Sequence, residues 1–142
     1  MEKFVDIIEK EYQLLKDLVQ LAEEQKSALI RYDVPNVERI ATKLNEVART
    51  LKDYENERIN FLVNDLKLSR RQAITAKLTE LKDILNIPEN ILQKRVEMRQ
   101  MIEKLAGLNS LNKLLANRAL SSIGEILSTL SNPNNSVCNV RI

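Results

Sequence analysis

Between residues 3 and 32 the apolar side chains return every seven positions. Ile8, Leu15, Ala22 and Leu29 form one row and Ile7, Leu14, Leu21 and Ala28 the adjacent one, with Phe4, Leu18 and Tyr32 flanking. Two adjacent rows at this period describe an amphipathic helix with a broad core face, wider than the two-position seam of a zipper. At 1.5 Å per residue it would be about 45 Å long. A stripe of that length cannot be buried by its own helix, so the segment demands partner helices. Glu11 and Gln25 interrupt the flanking row, so the seam is not uniformly dry.

The partner follows at once. Segment two, 35–67, keeps the repeat in Ile40, Val47, Tyr54 and Phe61 and again in Val37, Leu44 and Leu51, with Ala41, Ala48 and Leu62 completing the face. Between the two segments stands Asp33-Val34-Pro35-Asn36. Pro35 disfavours helical geometry at Val34 but suits a first helical turn, and Asp33 is placed to accept from the free amides there. Long helices joined by so short a turn must fold back antiparallel. Ser69-Arg70-Arg71-Gln72 reads as a capping box opening a short segment, 70–86, with Ile74, Leu78, Leu81 and Leu85 as its apolar set. Asn86-Ile87-Pro88-Glu89 is the next turn, and segment four, 89–131, runs unbroken to Asn132-Pro133-Asn134-Asn135. The expected architecture is all-α: one elongated antiparallel bundle domain over 1–131, of three long helices (3–32, 35–67, 89–131) and one short one (70–86). A flexible polar tail is expected over 132–142.

Composition narrows function. Two Gly and three Pro in 142 residues are too few for the turns of a sandwich or barrel. No apolar run approaches the roughly 18 residues of a membrane span, and the charged opening Glu2-Lys3 is not that of a secretory signal, so we expect a soluble cytoplasmic protein. With no His and the single Cys138, neither a metal centre nor an activated nucleophile is expected, and the isolated Gly107 and Gly124 make no phosphate loop. We therefore expect no enzyme activity, no cofactor and no metal. Residues 1–68 carry 14 acidic and 11 basic side chains and residues 69–142 carry 6 and 11. Arg70-Arg71 and Lys94-Arg95 in that basic half read as solvated helix surface, so no nucleic acid partner is expected.

Segment four is the informative one. On a helical projection Ile91, Met98, Met101, Ile102, Leu105, Leu108, Ala116, Ala119, Leu120, Ile123, Ile126, Leu127 and Leu130 share a face, the one expected to pack on segments one and two. Leu111 and Leu114 lie on the opposite side, beside the notch at Gly107, and between Leu105 and Val140 the only charges are Lys113, Arg118 and Glu125. Either segment three covers Leu111 and Leu114, or they belong to an exposed binding surface. Asn112, near the centre line of the core face, is either paired across the bundle or open to a groove. Met98 and Met101 are adaptable fillers, suited to a core and to a variable partner alike. Apolar surface left over could also be buried in a homodimer.

With these residues in place the chain resembles the FlgN family of flagellar type III export chaperones. The resemblance rests on Glu11-Tyr12-Gln13-Leu14-Leu15, Leu18, Leu21, Gln25, Ala28-Leu29, the Asp33 turn, Val37, Ile40, Lys43, Leu51, and Glu55 with Arg58. It continues in Leu108-Asn109, Asn112, Leu115, Leu120, Ile123 and Leu127, covering about 11–130. It implies a chaperone that binds the C-terminal helical segments of hook-associated (hook–filament junction) proteins, prevents their premature assembly and hands them to the export gate or to export ATPase components. The partner-binding residues it points to, with the notch and amide beside them, are Gly107, Leu108, Leu111, Asn112, Leu114, Leu115 and Leu120. Some relatives carry a gate-contacting tyrosine near the carboxyl terminus; here the last tyrosine is Tyr54, and Val137, Cys138 and Val140 stand in that region. The alternative is a coiled-coil stalk or scaffold similar to the FliJ-type component of the export apparatus, which predicts charged, two-position heptads along a two-helix hairpin, and the sparsely charged last segment speaks against it.

Overall fold

The computed structural model describes residues 2–131; the expected loose tail over 132–142, with Cys138 in it, lies outside the described residues. Five helices follow one another: α1 (Glu2–Ile30), α2 (Val34–Asn64), α3 (Arg70–Thr75), α4 (Leu78–Leu81) and α5 (Glu89–Ser131). Helix accounts for 87% of the described residues and no strand occurs among them.

The α1–α2 hairpin is antiparallel, as the short turn requires. Phe4 meets Phe61 with ring centroids 5.6 Å apart, Glu11 meets Arg58, and Lys10 lies over the Tyr54 ring. The α5 helix returns parallel to α1: Lys94 pairs with Glu9, the Tyr12 hydroxyl donates to the Glu97 carboxylate, and Asn112 reaches Gln25. Both α2 and α5 pack along α1, and their backbones do not pack on each other. Side chains of all the elements converge only at the base, away from the hairpin tip, where Phe4, Ile8, Ile59, Leu62, Ala73, Leu81, Ile87 and Ile91 form the core.

Two caps explain where the hairpin turns. The Asp33 amide donates to the Ala28 carbonyl at 2.9 Å and the Tyr32 amide to that of Leu29 at 3.2 Å. These are the paired bonds of a Schellman ending, with Tyr32 at φ 55 in the left-handed position that glycine usually fills. Asp33 then caps α2, accepting from the Asn36 amide with Pro35 in the first turn, as its sequence implies. The Ser69–Gln72 capping box is likewise present in both directions.

Segment three differs from the expected single helix over 70–86. Ala76 and Lys77 are extended (ψ 133 and 149), dividing it into α3 and α4, and the Glu80 carboxylate accepts from the Lys77 amide to restart the helix. The break serves the core, because a straight helix would hold Ala73 and Leu81 about 80° apart, whereas both are buried here and Ile74 is exposed. Turns this short are marginal alone and persist by packing on the base.

The face expected to pack along the whole of α5 does so only in its first two thirds. Ile91 and Leu108 are buried, but Ile102, Leu120, Ile123, Ile126 and Leu127 are exposed. Length explains most of this correction: α5 has 43 residues and α1 has 29. The Asn112–Gln25 pairing sets Ile30 level with Asn117, which leaves about 14 residues, roughly 21 Å of helix, beyond the end of α1. Ile102 is exposed for another reason, since it lies over the gap between α2 and α5.

Glu11 is buried and its Oε1 accepts from Arg58 Nε at 2.9 Å. Burial pushes its carboxyl above the ordinary value of 4.5, with Arg58 pulling the other way. The folded chain therefore holds a proton on Glu11 at pH values where the unfolded chain has lost it. This contribution to stability is full below about 4.5 and is lost as pH rises through the raised value. Glu11→Gln cannot ionise, so its stability relative to the parent should improve as pH rises from 4.5. Denaturant titrations across that range check this, and a difference moving the other way would show Arg58 outweighing burial. At the tip, Tyr32→Gly keeps the left-handed conformation without the roughly 1 kcal/mol it costs a bulky residue, and should raise the melting midpoint correspondingly.

Candidate functional site

The seam by which α5 packs on α1 does not end where α1 ends. Leu108, Asn112 and Ala116 face α1 or its tip, and the three-and-four spacing continues through Leu120, Ile123, Leu127 and Leu130. Leu120 is 67% exposed and Ile126 59%. The hairpin tip stands beside this overhang, and between them lies a pocket of about 610 Å³. Leu29, Tyr32, Val34 and Val37 form one wall; Ala116, Ala119, Leu120, Ile123 and Ile126 form the other. Glu38 is the single charged side chain among the described residues lining it. From Ala116 to Ile126 the pocket runs about 15 Å, nearly three helical turns.

A second opening, of about 630 Å³, lies over α1 between α2 and α5. Its floor is Phe4, Ile8, Glu11 and Leu15, and its rims carry Glu55, Arg58, Arg95, Arg99 and Glu103. Charges of both signs crowd this groove and Arg58 is already paired, so it offers less apolar surface to a partner than the distal pocket does.

The polar ties identified between α1 and α5 among the described residues fall below that pocket. Lys94 reaches Glu9 at 3.5 Å and sits over the Tyr12 ring; Lys104 reaches Glu23 at 3.4 Å. Hydrogen bonds from Lys26 and Lys104 hold the Glu23 carboxyl below its ordinary value, and the Glu97 carboxylate pushes the Tyr12 phenol up. Lys94 is thus engaged with α1 rather than presented as part of a basic patch. Asn112 is the uppermost tie. It is buried, and its Nδ2 donates to the Ala22 carbonyl at 3.0 Å, with Gln25 Oε1 at 3.4 Å. Of the two readings open to it, pairing across the bundle is what the structure shows. The carbonyl fixes the orientation of the amide and leaves Oδ1 buried with no hydrogen-bond partner.

The partner-binding residues expected from sequence are divided between faces. Leu108 and Asn112 are buried against α1 and Leu115 is half-buried. On the outer face Gly107 is open, with nothing within 4 Å of the position its side chain would occupy, and Leu111 and Leu114 are 39% and 47% exposed. Neither α3 nor α4 covers that pair, since both short helices sit at the base. Leu120 belongs to the pocket instead. Sequence reasoning missed the other wall: Tyr32, Val34 and Val37 read as turn and core, although the lengths of segments one and four already implied an overhang beside them. Among the described residues no group of three His, Cys, Asp or Glu side chains is placed to hold a metal, and no helix is long and apolar enough to cross a membrane.

A family model described as FlgN protein matches residues 1–139. Comparison with curated proteins and with solved structures returns no match. The match takes in every helix described above, from the α1–α2 hairpin to the apolar overhang of α5, and the chain belongs to the FlgN family of flagellar export chaperones.

Proposed function

We propose that the chain binds the C-terminal helical segments of hook-associated proteins on the distal half of α5, holds them unassembled in the cytoplasm and releases them to the export gate. The observation that carries this reading is the apolar overhang, a seam shaped to pack on a helix and left without one by the end of α1. Helix-in-groove recognition needs apolar anchors at helical spacing and few charges, and Leu120, Ile123 and Ile126 against the tip residues meet both conditions. A client whose apolar face is buried there cannot use the same face to polymerise. Leu111 and Leu114 offer a second strip on the outer side, where a longer or bent client segment would continue. The work asked of the protein is burial and release, which needs no bond chemistry and no nucleotide.

The exposure of these side chains makes the reading testable without unfolding the bundle. Leu120→Ser with Ile123→Ser should leave the melting midpoint nearly unchanged. It should weaken binding of a labelled hook-associated helix at least tenfold, about 1.4 kcal/mol, by fluorescence anisotropy. Leu111→Ser with Leu114→Ser, measured the same way, reports whether the outer strip contributes. Leu62→Ala at the base should do the reverse, lowering stability by about 2–5 kcal/mol with client affinity retained in the folded fraction. Unchanged affinity in both leucine-directed pairs would remove the distal face as the client site.

A further inference from the structure

We propose that the trough over α1, between α2 and α5, docks an amphipathic helix of a second protein, not the client, whose apolar stripe carries two acidic side chains one turn apart along one edge. Shape is the first argument. In a closed three-helix bundle each axis lies about 8–10 Å from both others. Here α2 and α5 each pack on α1 and not on one another. The three axes therefore mark three corners of a square, as in a four-helix bundle with its last corner open. The chain fills that corner itself at the base, where α3 packs on α2 and α4 on α5, and Ala76, Leu78 and Leu81 close the lower end of the opening. Helical turns are what the corner already accepts. Above them the floor from Phe4 to Leu15 runs about 16 Å, three turns of helix. Leu51, Met98 and the exposed Ile102 stand along its sides.

Charge names the occupant. The α5 rim carries Arg95, Arg99 and Glu103 at successive four-residue steps. Across the trough Arg58 is held by Glu11, and Glu55 meets Lys52 on its own helix. Neither Arg95 nor Arg99 lies within salt-bridge distance of a carboxylate among the described residues. Like charges four residues apart destabilise a helix, and these two flank an apolar floor where a docked anion would be attracted more strongly than in open water. The counterpart that suits them is a helix edge reading acid, acid, base along α5. Beside that edge it needs apolar side chains at three-and-four spacing for Leu51, Met98 and Ile102. The distal pocket, whose described wall carries only Glu38, selects no such edge. About 20 Å of α5, from Glu103 to Ala116, separates the two openings, so they take partners of different chemistry. The docking needs no client and does not use the distal pocket.

The probe is a labelled synthetic helix of about 20 residues, with a leucine stripe, two glutamates one turn apart on one edge and a lysine one turn further. Its binding to the full chain is read by fluorescence anisotropy, with helix content of each variant checked by circular dichroism. We expect it to bind at least about tenfold more tightly than the same peptide with glutamates and lysine interchanged. Arg95→Glu with Arg99→Glu should reverse that preference, an outcome that loss of folding could not produce. Ile102→Asp, at an exposed position, should weaken both peptides, whereas Leu120→Ser with Ile123→Ser should leave both affinities unchanged. Four results overturn the proposal: no binding of the glutamate-edged peptide; a preference that survives the double arginine change; a scrambled peptide of equal charge bound as tightly, which would leave only general attraction to anions; or loss of binding in the Leu120/Ile123 pair as large as in Ile102→Asp, which would move the probe to the distal pocket. Because no client is present, these outcomes are independent of whether the hook-associated helix binds.

Discussion

Everything in this fold leans on α1. It is the only helix along which both other long helices pack, and eight of its residues are buried against four in α2. The two adjacent apolar rows of its sequence supply this, one broad face serving two neighbours at once. Because α2 and α5 share a wall without meeting above the base, the middle of α2 is only half covered: Leu44, Val47, Leu51 and Tyr54 are partly exposed despite their heptad positions. Three helices around one seam make an open array, with a trough along α1, rather than a closed cylinder.

That openness concentrates stability at one end. The base has aromatic packing between Phe4 and Phe61, the fully buried Leu62 and Ile91, and two short helices that serve as a plug. The tip has a strained tyrosine cap and a helix running past its support. Sites that must exchange partners are drawn from the less tightly held parts of a fold, because there a bound segment replaces solvent rather than an existing core contact. The buried Glu11 carboxylate lies between the two regimes, paired with the half-buried Arg58, and burial pushes its carboxyl up while the guanidinium pulls the other way.

Much of this was legible in the residues. The seven-residue rows, the Asp33-Pro35 turn, the Ser69–Gln72 box and Pro88 located the long helices closely, because each is a local signal read by local chemistry. The division of segment three was hidden: Ile74, Leu78, Leu81 and Leu85 do make a helical stripe, but the core wanted Ala73 and Leu81, and tertiary packing overrode the stripe. The exposed run from Leu120 to Leu127 was misread for a related reason. Periodicity tells which face of a helix is apolar, not whether a neighbour is long enough to cover it. Only the difference in length between α1 and α5, and the register in which they meet, decides that, and register is a property of pairs.

Asn112 settles the register. Its amide reaches the Ala22 carbonyl in one axial alignment of α5 on α1, and a slide of one heptad either way would put the bulk of Leu15 or Leu29 where the small Ala22 leaves room for the amide, and Leu18 or Tyr32 in place of Gln25. The residue therefore acts as a ruler. A slide of seven residues toward the base would shorten the free end of α5 by about 10 Å, half of its length, and a slide the other way would lengthen it equally. One polar side chain, set among leucines some twenty residues away, thus measures out how much bare helix the molecule offers to the outside.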